Sequence, residues 1–320
     1  MRQVAALLRR PGPALRLKRI AGRARKSGHA SADASIPLKY VGDYLSLSLS
    51  PGERYRALAF HYGFLESTIT GVRIEPGLVL WQSIDDEGKT HDVVLQPAWA
   101  APMEGETELC FRLDGVRLFT LTFCIVQGGL VGSAEPAVIF VGGVQGIFFG
   151  KDRIRYAARK NQEIAPLAML LLAIDAVAEM LGIATIVGTS DTAQAASQTS
   201  VDGRSTTIDY AALWRDMGGI DDGRGHYCVA VGQTSGAEKE VAGKNKARTR
   251  RRRLQRRAVR DAMIGMLAVA LGRDAPAAAP ARKPIADRDG DGARRRVTAS
   301  GSATPVAATP SGPAVRISAR

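Results

Sequence analysis

The hydrophobic pattern in the middle of the chain changes from strand to helix and back. Residues 138–141 form a short β-branched and aromatic run, which predicts a strand. The glycine-rich segment 142–146 predicts a sharp turn, because glycine tolerates positive φ. Apolar side chains then recur at helical spacing from Pro166 to Gly182, and 183–187 predicts the next strand. This order favours a parallel strand pair with a right-handed crossover.

Before the crossover the pattern predicts a helix and an antiparallel region. Residues 53–69 have helical spacing, and four strand-like runs follow them. Two of these runs, 109–113 and 116–123, are separated by Asp114-Gly115, a tight-hairpin signal. The predicted fold is therefore mixed α+β, with antiparallel N-terminal strands and one parallel crossover. Further predicted elements are helices at 152–162, 208–217 and 244–271 and a strand at 226–231.

Charge divides the chain into three parts. Residues 1–30 hold nine Lys/Arg and no Asp/Glu, and residues 233–320 hold 20 Lys/Arg and 7 Asp/Glu. Residues 31–232 hold 15 Lys/Arg and 24 Asp/Glu, so an acidic core lies between two basic arms. We expect polyanion binding, to an anionic membrane surface or non-specifically to nucleic acid, to belong to the arms.

Domain boundaries follow from this division. We predict a flexible basic leader at 1–35, one domain at 36–272 and a disordered tail at 273–320, which is rich in Ala, Pro, Gly and Ser. The leader pattern also fits short amphipathic segments on a membrane or an organellar transit peptide, divided by Pro11 and Pro13. No transmembrane helix or signal peptide is expected from the sequence, which favours a cytoplasmic location.

Cysteine usage fits a reducing compartment. The three cysteines, Cys110, Cys124 and Cys228, show no CxxC spacing, so neither a disulfide framework nor a zinc site is expected. No other metal-site spacing occurs in the sequence.

Six short motifs follow one another along the chain: 60–65, 104–106, 118–123, 141–146, 183–190, and 209–214 with Gly218-Gly219. This ordered set resembles the VirK/YbjX family of bacterial proteins, a domain of unknown function, over roughly residues 40–270. The resemblance implies a role in virulence and envelope stress, including tolerance of antimicrobial peptides, without a catalytic mechanism. It also implies the bacterial cytoplasm, peripheral at the inner membrane, as the location. The chain departs from the family pattern between Lys160 and Pro166 and lacks a histidine after Ser190.

The glycine segment has two open interpretations. It is a phosphate site of backbone N–H groups or a β-bulge with a tight turn. The strand, loop, helix and strand order also looks like the cofactor-binding core of the GNAT acyltransferases, which implies CoA or acyl-CoA as ligand. The candidate cofactor-binding residues are Gly142, Gly143, Gln145, Gly146, Arg155, Arg159 and Lys160.

Other candidate site residues come from residue type and position. His61 and Glu104 are candidate general bases, although the sequence favours a core histidine for the first and a solvated turn for the second. Two function classes therefore remain open: a non-enzymatic envelope or stress factor, and an acyl- or aminoacyl-transferase. The candidate site-lining residues are Tyr62, Ser190, Asp191, Asp209 and Trp214.

Overall fold

The structure is a computed structural model, and it describes residues 11–31, 33–147, 150–195, 208–233 and 246–274. All of these residues belong to one compact unit, Met1–Ala277. Of the predicted tail at 273–320, residues 275–320 lie outside the described residues. The first ten residues, residues 32 and 148–149, and the segments 196–207 and 234–245 lie outside them as well.

The fold is a mixed α+β arrangement around one eight-stranded sheet, as the sequence predicts. The strand order is β1-β2-β3-β4-β5-β6-β8-β7. β5 and β6 run parallel, and the other neighbouring pairs in the sheet are antiparallel. The strands are β1 Leu78–Ile84, β2 Thr90–Pro97, β3 Thr107–Leu113, β4 Val116–Val126, β5 Val138–Gly146, β6 Thr185–Thr189, β7 Ile220–Asp221 and β8 His226–Ala230.

The hairpin between β3 and β4 confirms the local turn signal. Asp114 and Gly115 both have positive φ, 50° and 73°. Two positive φ angles belong to a type I′ turn, whose twist matches that of the flanking strands. Leu113 therefore pairs directly with Val116 and Leu109 with Leu121.

Helices cover both faces of the sheet, and alternation along β5 assigns its side chains to them. Ile139 and Val141 belong to one hydrophobic cluster, whereas Val138 and Phe140 belong to the other. This follows from the two-residue period of a strand. The helices are α1 Pro11–Lys26, α2 Pro51–Thr68, α3 Lys151–Lys160, α4 Pro166–Met180, α5 Tyr210–Asp216 and α6 Lys246–Leu271, with 3-10 helices at Ile36–Val41 and Gly128–Val131.

Helix α4 is the crossover between β5 and β6. Pro166 lies in its first turn, and Gly182, with φ +68°, lies just after its end. Leu171 and Ile174 are buried as predicted. Asp175 was expected on the solvent side but is fully buried, and its Oδ1 accepts a hydrogen bond from the Gly232 N–H at 3.1 Å.

The described part of the predicted flexible leader is instead a packed helix. α1 places Leu17, Ala21 and Ala24 in the hydrophobic cluster that includes α2. Pro11 and Pro13 do not break it, because they fall in its first turn, where proline costs no intrahelical hydrogen bond. The helix therefore covers one face of the domain.

Candidate functional site

A buried polar cluster lies where the parallel strands end, and Glu104 is at its centre. The Glu104 side chain is fully buried. Its Oε1 accepts hydrogen bonds from Gln145 Nε2 at 2.8 Å and from Gln194 Nε2 at 2.9 Å. Gln145 belongs to the last part of β5 and Gln194 follows β6, so Glu104 is held between the carboxyl ends of both strands. This is the edge where ligands bind in parallel sheets.

Tyr210 fills the gap beside β5. Its hydroxyl accepts from the Val144 N–H and donates to the Val144 carbonyl oxygen, both at 2.8 Å. Gln194 Nε2 also donates to this hydroxyl at 2.9 Å. β5 pairs with β6 only from Ile139 to Val141, so the Val144 backbone groups have no β6 partner and Tyr210 satisfies them instead.

Glu104 carries the unusual electrostatics of the cluster. Burial raises the pKa of its carboxyl group from 4.5 to about 7, although the hydrogen bonds from Gln145 and Gln194 oppose this shift. Its second oxygen, Oε2, is buried without a hydrogen-bond partner among the described residues. A carboxyl group that exchanges its proton near neutral pH is suited to general acid–base chemistry.

Two of the three glycines of β5, Gly142 and Gly143, make room for Glu104. A Cβ built on Gly143 would overlap Glu104 Oε2, and one on Gly142 would overlap the Glu104 carbonyl oxygen. Neither glycine has a positive φ. Their small size therefore serves close approach to Glu104 rather than a turn.

The predicted glycine turn is wrong, because residues 142–146 continue strand β5. Gly143 pairs with Thr122 and Gly146 pairs with Phe119 of β4. Thr122 and Phe123 are adjacent on β4 but pair with Gly143 and Val141, so Gly142 is an extra residue and the irregularity lies on β5, at the glycines. The sequence alternative of a bulge is closer to this arrangement than a phosphate-binding loop.

The three basic candidates lie on α3 and do not form one cluster. Lys160 bonds Asp86 and Glu87 in the β1–β2 turn, and β3 and β4 separate those strands from β5. Arg155 is exposed and has Asp152 at 3.8 Å, and Arg159 is exposed. Lys160 is thus committed to a structural contact away from Gly143.

His61 is a core histidine. It is fully buried on α2, its Nδ1 accepts from the Ile125 N–H at 3.1 Å, and its Nε2 lies 3.2 Å from Thr107 Oγ1. Nδ1 as acceptor leaves the proton on Nε2, which donates to Thr107. Burial, with Lys39 and His29 adding to it, lowers the pKa of His61 to about 3, so the ring is neutral. This environment suits a structural role.

Tyr62 belongs to a separate buried network. Its hydroxyl donates to Glu106 Oε2, and Lys39 Nζ donates to Glu106 Oε1 at 2.8 Å. Lys39 and Glu106 are both almost completely buried. Burial and the neighbouring Glu106 charge raise the pKa of Tyr62. The ion pair between Lys39 and Glu106 connects the 3-10 helix at Ile36–Val41 to the segment just before β3.

The remaining candidates surround the Glu104 cluster as supports. Asp191 accepts from the Tyr210 and Ala211 N–H groups at 3.2 and 3.3 Å, and Asp209 caps α5 by accepting from the Ala212 N–H at 2.7 Å. These bonds fix the helix that carries Tyr210.

Ser190 and Trp214 lie beside β6. Ser190 Oγ is 3.0 Å from Thr192 Oγ1. Trp214 is fully buried against Gly188 and donates its indole N–H to the Thr189 carbonyl oxygen at 2.8 Å. The structure therefore gathers Glu104 and Gln145 in one cluster supported from β6 and α5, whereas His61, Tyr62 and Lys160 lie elsewhere.

Two residues of the cluster were missed in the sequence. Gln194 belongs to no motif, and Tyr210 lies in the motif 209–214 but was not identified as a site residue. Their signal is positional, since Gln194 follows the Ser190-Asp191 strand end and Tyr210 follows the Asp209 cap. Strand and helix ends are where site residues concentrate.

Neither a metal-ligand group nor a membrane-spanning helix occurs among the described residues. No group of three or more His, Cys, Asp or Glu side chains there is placed to hold a metal ion. The three cysteines are free thiols. Within the same ranges, no helix has the length and apolar character that crossing a bilayer requires.

Fold and site together define a mixed α+β protein with a buried acidic site at the ends of one parallel strand pair. The chain belongs to the family described as protein of unknown function DUF535, whose model matches residues 17–256. It is similar to the uncharacterized protein YbjX of Escherichia coli (strain K12), with 25% identity over 229 residues, covering 68% of this chain and 67% of that protein. No solved structure matches the chain.

Proposed function

We propose that this chain is an acyl- or aminoacyl-transferase with Glu104 as its general base. The observation that carries the proposal is the buried Glu104 carboxyl group, which has a pKa near 7 and an unpartnered Oε2. A base with a pKa near the working pH combines a useful ionised fraction with a useful proton affinity. The amide groups of Gln145 and Gln194 donate to Glu104 Oε1, and this oxygen can accept from them whether the carboxyl group is neutral or ionised.

The strand arrangement supports the same proposal. β5 and β6 part after Val141, while β5 continues to Gly146. A parallel pair inside an otherwise antiparallel sheet, with a crossover helix between the two strands, fits the resemblance to the GNAT acyltransferases. An acyl-CoA donor would enter the gap between the strands. It would compete there with the Tyr210 hydroxyl, which hydrogen-bonds both the N–H and the carbonyl oxygen of Val144.

In the proposed reaction Glu104 Oε2 accepts a proton from an acceptor amine or hydroxyl. The acceptor atom forms a bond to the acyl carbonyl carbon, the bond from that carbon to the donor breaks, and the departing group receives the proton. Arg155 and Arg159 remain the candidates for the donor's phosphates, because both are exposed on α3. Lys160 is a weaker candidate, given its contacts to Asp86 and Glu87.

Isothermal titration with acetyl-CoA and longer acyl-CoAs tests the proposal. Glu104→Gln should keep ligand binding and lose release of free CoA, because it retains the shape and an acceptor oxygen but not the base. Exposed Glu135→Gln is the matched control and should behave as the native chain. Absence of heat and of thermal stabilisation with every acyl-CoA and aminoacyl donor would refute the proposal.

A second function is favoured by the distribution of exposed charge. α1 and α6 bury apolar side chains in the core and leave basic side chains exposed. We propose that these basic faces hold the protein peripherally at an anionic bacterial membrane, on the cytoplasmic side, or on nucleic acid. Such a location would suit the role in virulence, envelope stress and antimicrobial-peptide tolerance that the VirK/YbjX resemblance implies.

A further inference from the structure

A buried histidine outside the Glu104 cluster lies between two serines and an aspartate. His226 is fully buried at the start of β8. Its Nδ1 is 2.9 Å from Asp222 Oδ2. Its Nε2 is 2.9 Å from Ser46 Oγ and 2.8 Å from Ser48 Oγ. These contacts join the segment before α2 to the turn between β7 and β8.

Asp222 is positioned to hold the histidine ring in one orientation. Its Oδ1 accepts the Arg224 N–H at 2.8 Å and the His226 N–H at 3.0 Å, which leaves Oδ2 for the ring. Although burial raises the pKa of Asp222, those backbone hydrogen bonds and His226 lower it more, so the carboxylate is ionised. The ionised Oδ2 accepts a hydrogen bond from the Nδ1–H, which keeps the ring proton on Nδ1 and leaves Nε2 as an acceptor.

The protonation state of the ring suits a general base. Burial lowers the pKa of His226 from 6.5, and the contact with Asp222 opposes this only in part. The imidazole is therefore neutral at neutral pH, with a lone pair on Nε2. Phe140 packs edge-on against the ring at a centroid distance of 5.1 Å and shields it from one side.

The two serines differ in accessibility. Ser46 is fully buried, whereas Ser48 is exposed. Their Oγ atoms are 2.9 Å apart, and Ser46 Oγ also lies 3.3 Å from the Ser48 N–H. Of the two hydroxyls, only that of Ser48 reaches solvent and His226 Nε2 together.

We propose that Ser48 is a nucleophile activated by His226 and oriented through Asp222, acting on an ester or thioester. A serine within hydrogen-bond reach of a histidine, itself oriented by a carboxylate, is the geometry of acyl-transferring serine enzymes on unrelated folds. The site lies beside Thr189, which pairs with His226 in the sheet, at the same edge as Glu104. It does not depend on acyl-CoA binding at Glu104.

The proposed reaction has two steps, acylation of Ser48 and hydrolysis of the acyl-serine. Ser48 Oγ bonds to the substrate carbonyl carbon while its proton moves to His226 Nε2. The carbon–oxygen or carbon–sulfur bond to the leaving group breaks, and the leaving alcohol or thiol takes that proton. Water, activated in turn by His226, hydrolyses the acyl-serine and restores the free hydroxyl.

Labelling with diisopropyl fluorophosphate tests the proposal on the full chain. The Ser48 oxygen replaces fluoride on phosphorus, so the native protein should gain one adduct, and peptide mapping should place it on Ser48. Ser48→Ala should lose the adduct with an unchanged thermal midpoint, since the side chain is exposed. His226→Gln should slow labelling by about 10²–10⁴-fold.

Two comparisons separate nucleophile from support. Ser46→Ala should keep the adduct on Ser48, because Ser46 is the buried neighbour. Asp222→Glu should retain more labelling than Asp222→Asn at matched thermal midpoints, which a purely structural role would not produce. An unlabelled native protein, an adduct on any residue other than Ser48, or undiminished labelling of Ser48→Ala would each overturn the proposal.

Discussion

At the scale of single residues, Glu104 makes stability depend on pH. Its folded-state pKa of about 7 exceeds the ordinary 4.5, so between these values the folded chain keeps a proton that the unfolded chain has lost. The stabilising contribution is complete below the unfolded pKa and is lost as pH rises through 7. At about 1.4 kcal/mol per unit, the full effect is about 3 kcal/mol.

We therefore expect Glu104→Gln to flatten the pH dependence of stability. The variant should resemble the native protein at pH about 5 and exceed it by up to about 3 kcal/mol at pH about 8, because no buried charge forms. Urea unfolding at both pH values measures this. Surface Glu135→Gln should preserve the native profile, and equal slopes for native and Glu104→Gln proteins would contradict the expectation.

Gly143 is the second residue whose role is measurable. Gly143→Ala should destabilise the fold by about 1–3 kcal/mol or more, because the added methyl group overlaps Glu104 Oε2. Gly63→Ala in α2 is the control, since a Cβ there meets no atom within 4 Å and alanine favours helix by about 1 kcal/mol. Thermal denaturation compares the two, and a neutral Gly143→Ala would show that Glu104 moves aside freely.

Residue type and spacing predicted part of this site. Glu104, Gln145 and the glycine pair stand out in the sequence by their chemistry. Their mutual contact does not, because the approach of Glu104 to Gly143 depends on how the segment before β3 packs against β5 in three dimensions. The Ser48–His226 contact spans 178 residues, so no local pattern could have predicted it.

At the scale of elements, local signals predicted most helices and strands. The Asp114-Gly115 turn and the alternation of apolar side chains specify the β3–β4 hairpin without tertiary information. Helix α1 was missed because its stability comes from burying Leu17 in the core, whereas its prolines and arginines suggest a solvated leader. The extension of β5 through the five positions 142–146, three of them glycine, likewise depends on pairing with β4.

Helix α4 shows where periodicity misleads. Its polar positions suggested a solvent side, but Asp175 is buried and accepts from the Gly232 N–H. We now expect Asp175→Ala to cost about 1–3 kcal/mol, because it removes a fully buried carboxylate that accepts from the Gly232 N–H. Asp175→Asn keeps an acceptor oxygen and should cost less. Chemical denaturation ranks the two, and a silent Asp175→Ala would mean that water replaces the carboxylate.

At the scale of the whole molecule, charge is segregated along the chain, but the basic helices α1 and α6 pack on the core. α6 contributes Val259, Met263 and Leu267 to the core, and Arg273 donates to the Met180 and Thr68 carbonyl oxygens. A fragment of residues 31–232 would lack these core contacts. Its failure to bind a polyanion could therefore result from unfolding rather than from the loss of basic charge. Substitutions of exposed side chains preserve the core and change only the charge.

We expect the basic faces of α1 and α6 to bind anionic surfaces in a salt-dependent way. Replacing six exposed basic residues by Gln should weaken pull-down by phosphatidylserine vesicles or duplex DNA and reduce the salt dependence, because fewer counterions are released. On DNA the slope should fall by about 0.9 for each lost phosphate contact. The six are Arg16, Lys18, Arg19, Arg248, Arg250 and Arg251.

A second variant controls for net charge alone. Arg56, Lys151 and Arg153 are exposed on α2 and α3 and so belong to neither of the two basic helices. Replacing these three by Gln should leave binding nearly unchanged. Replacing only the three α6 arginines of the six-residue variant should weaken binding, although both triple variants lose the same charge. Equal losses in the two variants would show that net charge rather than a defined face drives association, and vesicle binding without DNA binding would identify the membrane as the partner.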